Sequence, residues 1–376
     1  MKPSVAEGWA DRRRQCERCF GLVVLLLALC TSVAALAEEG VAQDPGNDVE
    51  AGSQTASGSE ESTIPRGLRS TGVDSAMLAP IGLADSRALA KGQWALSYRY
   101  SLLHFDDMRT NTHRNGTNEL LQVYDETPRD RDLQVHLFGV AWAPHRRVTL
   151  SAQLPVLTQE TRVVAGGPPR EHFKTESEGV GDLELRLLVP FMRKRNESLQ
   201  LELGLSAPTG SISERDGGAG GGSELLPIPQ QLGSGTVDML TGAVYRGRWQ
   251  TLSWGFLARS KWRFYENSKD YRLGHDHLLS AWLGQSWTDW MSTSLRMSWQ
   301  RQESVRPSER TTVNPERDPK RLGGDVLDLG PGVNFKIPAL GEPRLGVEMT
   351  WPFYQNLNGP QLERDWTLTA GWEWAF

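Results

Sequence analysis

The last twelve residues, Asp365 to Phe376, read Asp-Trp-Thr-Leu-Thr-Ala-Gly-Trp-Glu-Trp-Ala-Phe. Apolar side chains occupy every second position, and mostly polar or small side chains stand between them. Successive side chains of a β-strand point to opposite faces, so this alternation predicts a strand with one apolar and one polar face. In a soluble sandwich the apolar face would lie in a core, whereas in a membrane barrel it would face lipid.

The same alternation recurs from about Gln93 to Phe376, between clusters of Gly, Pro and charged residues. The connections are alternately short and long, as in bacterial outer-membrane barrels with short periplasmic turns and long external loops. The predicted fold is an all-β, transmembrane, antiparallel up-and-down β-barrel of about twelve strands, with both chain ends on the periplasmic side. The predicted strands are 93–105, 133–143, 147–162, 180–192, 198–207, 236–246, 249–264, 276–286, 289–302, 326–337, 343–353 and 365–376.

The composition suits a barrel better than a large soluble core. The 376-residue chain is only 38% hydrophobic, yet it contains 38 Gly and 14 Trp. Beyond residue 37 no apolar run approaches the roughly 20 residues of a membrane helix, so a membrane-spanning chain must cross as a closed barrel. Acidic residues outnumber basic ones, 46 to 41, which leaves no basic footprint for nucleic acid as a partner.

The first 37 residues have the pattern of a cleaved signal peptide, which predicts export to the outer membrane. Arg12 to Arg14 precede an apolar run, Cys19 to Ala37, which ends in small residues, and all three cysteines lie in this peptide. Residues 38–72 are rich in Gly, Ser, Thr and acids, which predicts a disordered periplasmic leader. Residues 73–92 are expected to form a plug or to lie at the mouth of the lumen, and the barrel is expected at 93–376.

Aromatic residues are concentrated near the predicted strand ends, where membrane proteins place Trp and Tyr at the lipid–water interface. A periplasmic girdle is predicted from Trp142, Trp249, Trp287, Trp290, Trp372 and Trp374, and an external one from Trp262, Trp351 and Trp366. The terminal Trp372, Trp374 and Phe376 are the expected assembly signal. The expected partners are therefore outer-membrane lipid and the outer-membrane barrel assembly machinery, together with a small-molecule solute.

Several separated stretches resemble a bacterial outer-membrane family labelled as the MetA pathway of phenol degradation, or simply as transporters. The likeness rests on Ala79-Pro80-Ile81-Gly82-Leu83, Lys91 to Tyr100, Gly179 to Leu183, Ala207 to Gly210, and Leu232 to Gly235 followed by Asp238. The resemblance implies an outer-membrane barrel with a transport role. Relatives with this pattern often carry Met and His in the first strands and have been linked with metals. Here Leu102, Leu103 and Phe105 fill much of that region, with His104 and Met108 the nearest remnants of the pattern, so no cofactor is expected.

Charged residues on the polar strand faces are the candidate lumen and selectivity residues. They are Arg99, His136, Asp182, Glu184, Arg186, Glu202, Arg296 and Glu348. Rows of fixed charge can tune which solutes pass through a pore. Because both signs are present, the same residues could instead pair into a salt-bridged filling of a narrow barrel, and the sequence leaves these two interpretations open.

The predicted function is an outer-membrane channel or transporter for small molecules, aromatic or hydrophobic ones among them. An alternative is a barrel enzyme acting on lipid, for which His136 and Ser151 lie on neighbouring predicted strands, but no nucleophile elbow is present and no catalytic residue is predicted. A structural barrel without a transport role is the other alternative. The candidate metal ligands, His275 and His277, lack an evident third ligand, so a solvated strand end is the favoured interpretation.

Overall fold

The computed structural model describes residues 79–83, 87–217, 222–306, 313–338 and 343–376. The predicted signal peptide and leader lie outside these residues. Within the described ranges, no helix has the length and hydropathy needed to cross a membrane.

Within the described residues, alternating residue patterns give fifteen strands and almost no helix. The strands are β1 (Trp94–Asn111), β2 (His113–Asn115), β3 (Glu126–His145), β4 (Val148–Ala165), β5 (Glu171–Val180), β6 (Leu183–Arg193), β7 (Glu197–Ala207), β8 (Arg215–Gly217), β9 (Ser223–Leu225), β10 (Asp238–Trp249), β11 (Leu252–Trp262), β12 (Asp276–Ser286), β13 (Met291–Gln302), β14 (Gly324–Lys336) and β15 (Arg344–Ala375). A four-residue helix, α1 (Thr117–Leu120), and 3-10 turns at Ile228–Gln230, Pro315–Arg317 and Pro319–Arg321 lie in the long connections.

The sheet closes on itself. Eleven strands follow one another in the order β15-β14-β13-β12-β11-β10-β7-β6-β4-β3-β1, and β1 pairs again with β15. Strands β2 and β5 extend the sheet outside this ring, and β8 and β9 form a separate ribbon. All pairings are antiparallel. Closure removes the exposed edges that an open sheet would leave, and it confirms the predicted all-β barrel.

Strand β15 contains two crossings of the barrel wall. Its first part pairs antiparallel with β14, from Arg344 to Leu357, and its last part pairs antiparallel with β1, ending at Ala375. A ring of strands that alternate in direction needs an even number of crossings, so the chain reverses inside β15. The Gln355 side chain ties the two arms together, because it donates to the Arg364 carbonyl (2.8 Å) and accepts from the Arg364 amide (3.0 Å). The barrel therefore has twelve crossings, as predicted.

The two faces of the wall differ in polarity. Outward-facing Phe138, Val140 and Trp142 are exposed along β3, whereas inward-facing Ser151 and Gln153 on β4 are buried. This is the arrangement of a barrel with lipid outside and a polar interior. At the end of the barrel with short turns, Trp94 stacks on Trp142 with ring centroids 5.5 Å apart.

Three long connections are shorter than the sequence predicts. Strand β3 already begins at Glu126, and β4 and β5 pair through most of the segment 163–179 that was expected to be a loop. Strand β15 likewise continues through the expected loop at 354–364. Strand pairing here continues above the apolar band, where polar residues predominate and the few apolar ones, such as the consecutive Val163 and Val164, do not alternate. No period of hydrophobicity marks such strands, and for this reason the sequence pattern missed them.

Candidate functional site in the barrel lumen

Seven of the eight predicted lumen residues lie on the inner side of the wall or at its rim. Arg99, Arg186, Glu202 and Glu348 are buried inside the ring. Glu184 and Arg296 face the same interior, since they make ion pairs with inward-facing side chains. Asp182 lies at the break between β5 and β6, and it has a bracing role that is described below.

His136 is the exception, because it faces outward. It pairs in register with Tyr100, and Tyr98 pairs with the exposed Phe138, so all four side chains share the outer face. The His136 Nδ1 atom lies 2.9 Å from the Tyr98 hydroxyl. The prediction was wrong because a polar side chain in this strand was assigned to the polar face, although its alternation with Phe138 and Val140 indicated the outer one.

The same register separates the two residues considered for lipid hydrolysis. Ser151 is buried on the inner face and pairs with Ala141, whereas His136 lies on the outer face. A nucleophile and its base must lie within hydrogen-bond reach of each other. The barrel wall lies between these two side chains, so they do not form a catalytic pair.

Five charged side chains form a continuous chain along the wall made by β6, β7 and β11. Lys261 Nζ lies 2.6 Å from Glu184, and Arg186 bridges Glu184 (2.5 Å) and Glu202 (3.6 Å). Arg259 then binds both Glu202 oxygens, at 2.7 and 3.0 Å. This series of ion pairs has a basic side chain at each end, so its three basic groups outnumber its two carboxylates.

Gly242 makes the last of these contacts possible. It stands between Glu202 and Arg259 in the register of β7, β10 and β11. A Cβ atom at this position would lie 3.1 Å from both Arg259 Cγ and the Glu202 carboxylate. The absence of a side chain thus allows an ion pair to reach across an intervening strand.

A second ion pair lies on another part of the wall. Arg296 on β13 binds both oxygens of Glu348 on β15, at 2.8 and 3.1 Å. Near the short-turn end, the Glu373 carboxylate forms an ion pair with Arg87 at 3.2 Å, and the Arg344 guanidinium lies 3.9 Å from the same carboxylate. Removal of one partner from such a buried pair leaves an uncompensated charge, which is strongly destabilising.

Residues 79–83, which we call the lumen segment, cross the interior. The Arg344 side chain donates to the Ala79 carbonyl, and the Arg99 side chain donates to the Leu83 carbonyl. A Cβ atom at Gly346 would lie 2.7 Å from Ile81 Cβ, so only a glycine lets the segment approach the wall this closely.

The other side of the lumen segment packs on apolar residues. Ala79 and Leu83 form a buried cluster with Val244, Leu257 and Trp282. These three residues lie on β10, β11 and β12, roughly opposite β1 and β15 in the ring. The lumen segment therefore contacts opposite walls of the barrel.

The residues that follow the lumen segment are also fixed to the wall. The Leu89 amide donates to the Thr149 hydroxyl (3.0 Å), and the Arg193 side chain donates to the Ala88 carbonyl (3.0 Å). The Gly92 amide then donates to the Ala143 carbonyl at 2.7 Å, just before β1 begins. These contacts hold the segment near the end of the barrel with short turns.

A cavity of about 460 Å³ occupies the other half of the lumen, toward the long loops. Its volume lies within the range of small-molecule sites, about 300–1,000 Å³. The lining is mixed. Phe105, Leu133, Leu232, Leu273 and Leu362 supply apolar surface, and Arg131, Gln159, Glu184, Lys261 and Arg263 supply polar groups.

Two long loops border this cavity and are held by side chains of the wall. Glu316, almost fully buried in the loop before β14, makes an ion pair with Arg131 of β3. Beside it, Asn314 donates to the Glu126 carboxylate at 2.8 Å. Burial raises the pKa of Glu126, because the charged form loses its hydration.

Asp182 braces the other loop. Its carboxylate accepts hydrogen bonds from the Gly210 amide (3.0 Å) and the Ser234 amide (2.8 Å). The wall is interrupted here between β5 and β6, where the Gly181 amide donates to the Pro155 carbonyl (2.8 Å). Asp182 thus joins the loop after β7 to the interrupted wall, and it also lines the cavity.

His275 and His277 lie on the outer face at the long-loop end, beside Trp262. The His275 Nδ1 atom accepts a hydrogen bond from the Arg263 amide (3.0 Å), so the neutral ring carries its proton on Nε2. The lone pair on Nδ1 is engaged in this hydrogen bond and is therefore not free to bind a metal ion. Burial lowers the pKa of His275. Within the described part of the chain, no group of three or more His, Cys, Asp or Glu could hold a metal ion.

The predicted assembly residues share the outer face. Trp372 pairs with Tyr98, and Trp374 pairs with Leu96 on β1. The Phe376 backbone exchanges hydrogen bonds with Trp94 at 2.8 and 2.9 Å, and the Trp374 and Phe376 rings lie 5.0 Å apart. The last residues of the chain therefore close the ring against its first strand.

Several lumen residues were missed by the sequence analysis. In β11, the outward Trp254 and Phe256 place Arg259 and Lys261 on the inner face, so the alternation contained this signal. Trp282 is a different case, because it is an aromatic residue that faces inward. Its ring lies over Gly255 of the neighbouring strand, a pairing of large and small residues that is visible only once the register is known.

Comparison with known proteins gives a likeness in fold only. No family model and no curated protein matches the chain, so the family label drawn from the sequence stays a prediction. The crystal structure of an outer membrane channel from Pseudomonas putida F1 is similar, with 15% identity over 78% of this chain and 99% of that chain and a TM-score of 0.55. A Pseudomonas aeruginosa FadL homologue has 8% identity, with 76% and 89% of the two chains covered and a TM-score of 0.38. At 15% identity, the first likeness establishes a shared outer-membrane barrel fold.

Proposed function

We propose that the protein is an outer-membrane channel for small molecules, aromatic or hydrophobic ones among them. The cavity of about 460 Å³ inside the ring carries this proposal. A barrel whose only role is structural gains nothing from an interior space of ligand size, whereas a channel needs one. The signal-peptide pattern, the outward aromatic residues and the barrel fold support the outer membrane as its location.

The mixed lining of the cavity supports a particular kind of solute. Apolar side chains such as Phe105, Leu273 and Leu362 can bury a ring or a short hydrocarbon, while polar groups fix its orientation. A solute entering from the long-loop end would next meet the lumen segment, which contacts opposite walls. In this proposal the lumen segment is the gate, and movement of residues 79–83 opens the route to the periplasm.

Single-channel recording in a planar bilayer tests the proposal. The refolded mature protein should give stepwise currents that are small and intermittent, because the lumen segment occupies the interior most of the time. Small aromatic solutes added on the long-loop side should interrupt these currents when they enter the cavity. A folded barrel that carries no current, with no solute flux in vesicles, would contradict the channel role.

A further inference from the structure

The outer wall of the barrel contains an apolar groove of about 700 Å³, which is separate from the lumen cavity. The groove lies on β3, β4, β6 and β7, and its largest side chains are outward-facing and exposed, namely Val140, Trp142, Leu150, Leu185, Leu203 and Leu205. Its volume lies within the range of small-molecule sites. On a lipid-facing wall, such a groove offers a hydrocarbon chain more contacts than a flat surface does.

A small side chain, Ala152, gives the groove its depth. Ala152 faces outward, because it stands between the buried, inward-facing Ser151 and Gln153 on β4. Its neighbours in register are Val140 on β3 and Leu185 on β6, whose side chains both extend further from the wall. The groove therefore runs over one methyl group between two larger side chains.

Two tryptophans border the groove at the end with short turns. Trp94 and Trp142 line it and stack with ring centroids 5.5 Å apart. Trp side chains in membrane proteins mark the level of the lipid headgroups. A lipid molecule in this groove would therefore place its headgroup beside the short turns and its acyl chain toward the middle of the wall.

The short turns next to this end of the groove are basic. The turn between β3 and β4 and the turn between β6 and β7 are neighbours in the ring, because β4 pairs with β6. Together they expose the basic side chains of Arg146, Arg147, Arg193, Lys194 and Arg195. Arg147 is three residues from Leu150, which lines the groove, or about 10 Å along the strand. The apolar stem of an Arg side chain can lie along the wall over part of this distance.

Three of these basic side chains have no carboxylate partner. Among the described residues, Arg146, Arg147 and Arg195 form no ion pair, whereas Lys194 lies 3.6 Å from Glu197. A guanidinium group can bind a phosphate group through two parallel hydrogen bonds. The two turns thus offer unpaired guanidinium groups at the level of the lipid phosphates.

The other described carboxylates at this end lie apart from the two basic turns. Asp289 is in the turn between β12 and β13, on the far side of the ring, and Glu373 faces inward and pairs with Arg87. The terminal carboxylate of Phe376 accepts a hydrogen bond from the Trp94 amide at 2.8 Å, and β1 lies between it and the turn of β3 and β4. The side of the short-turn end below the groove is therefore positively charged.

We propose that this groove and the two basic turns bind one anionic phospholipid of the inner leaflet, with an acyl chain over Ala152 and the phosphate at Arg146 and Arg147. Short turns face the periplasm in bacterial barrels, so the inner leaflet surrounds this end. The apolar groove selects a molecule with a hydrocarbon chain, and the unpaired guanidinium groups select a negatively charged headgroup. The site lies on the outer face of the wall, so it does not depend on whether the lumen conducts.

Native mass spectrometry of the refolded, full mature chain in detergent tests the proposal. The probes are phosphatidylglycerol and phosphatidylcholine with the same acyl chains, and inorganic phosphate. One phosphatidylglycerol should be retained at concentrations about tenfold lower than phosphatidylcholine, since one charge-assisted hydrogen bond contributes roughly that factor. Inorganic phosphate should bind only weakly because it lacks an acyl chain.

Two variants separate the parts of the site. Arg146→Gln, Arg147→Gln and Arg195→Gln combined should weaken phosphatidylglycerol binding about tenfold and leave phosphatidylcholine binding unchanged. Ala152→Phe fills the groove and should weaken the binding of both lipids about tenfold, since the loss of about two buried methylene groups has that effect.

Each variant has a matched control. Arg129→Gln, Arg170→Gln and Arg215→Gln combined remove the same charge from exposed positions at the long-loop end. Ala281→Phe adds the same ring to the outer face of β12, where Ala281 also stands between two larger side chains in register. Both controls should bind the two lipids as the unmodified protein does.

The two parts of the site can fail separately. Equal binding of the two lipids, or a triple Arg variant that behaves as its control does, would refute the headgroup site. Unchanged lipid binding by a heat-modifiable Ala152→Phe variant, or phosphate binding as tight as that of phosphatidylglycerol, would refute the acyl-chain groove. A mass of two chains in place of bound lipid would overturn the proposal, because the groove would then be an interface between copies. None of these results would change the proposed channel function.

Discussion

Leu83→Ala should open the channel by unseating the lumen segment. Leu83 is 4% exposed and belongs to a cluster with Val244, Leu257 and Trp282, which are all almost fully buried. Truncation of a buried Leu costs about 2–5 kcal/mol. At about 1.4 kcal/mol for each tenfold change, the ratio of seated to unseated segment falls by roughly 30-fold or more. The change affects the segment and leaves the strand pairing of the wall intact.

Single-channel recording measures this shift directly as the fraction of time that the pore conducts. Leu120→Ala is the matched control, because Leu120 is equally buried but belongs to a cluster with Met108, Tyr124 and Leu362 at the long-loop end. The Leu83 variant should stay open far longer than the unmodified protein, and the Leu120 variant should not. Equal open times in a Leu83 variant that is folded and heat-modifiable would refute the gating role of residues 79–83.

Two further predictions follow from the wall. Phe376→Ser combined with Trp374→Ser should prevent assembly, because both aromatic side chains face lipid where the last strand closes the ring. A normal heat-dependent shift in gel mobility of this double variant would contradict the prediction. The control is Trp351→Ser, which changes another outward-facing Trp. Glu202→Gln should leave the guanidinium groups of Arg186 and Arg259 without their shared carboxylate and so raise anion selectivity. The reversal potential in a salt gradient measures this change, and an unchanged value would mean that these groups do not face the conducting path.

Most of the barrel strands can be predicted from the sequence alone, because the alternation of apolar and polar residues shows which face of a strand contacts lipid. The terminal stretch from Trp366 to Phe376 shows this most clearly. Strand ends above the apolar band do not show this alternation, and for this reason β5 was expected to be a loop. Where apolar and polar residues do not alternate, only pairing partners define the strand.

The candidate site was partly predictable. Glu184, Arg186 and Glu202 were found from strand phase, and they turn out to share one chain of ion pairs. The partners Lys261 and Arg259 come from a strand far along the sequence, so their proximity depends on the order of strands in the ring. His136 was misplaced because polarity was given more weight than phase.

The position of the lumen segment was the feature that could least be predicted from the sequence. Sequence composition could suggest that residues 73–92 enter the lumen or lie at its mouth, but it could not choose between these positions. The choice depends on tertiary contacts, namely backbone carbonyls bound by Arg99 and Arg344 and a close approach to Gly346. None of these contacts leaves a periodic signal in the sequence.

A reversible cross-link between the lumen segment and the wall tests the central claim most directly. A Cβ atom at Gly346 lies 2.7 Å from Ile81 Cβ, and a disulfide needs about 3.5–4.5 Å, so Ile81→Cys with Gly346→Cys requires a shift of about 1 Å. The predicted mature chain has no other cysteine. Current should be absent from the oxidised protein and appear in the same bilayer after a reductant is added, while the single variant Ile81→Cys should not respond. Equal currents before and after reduction of a verified disulfide would contradict a channel gated by residues 79–83.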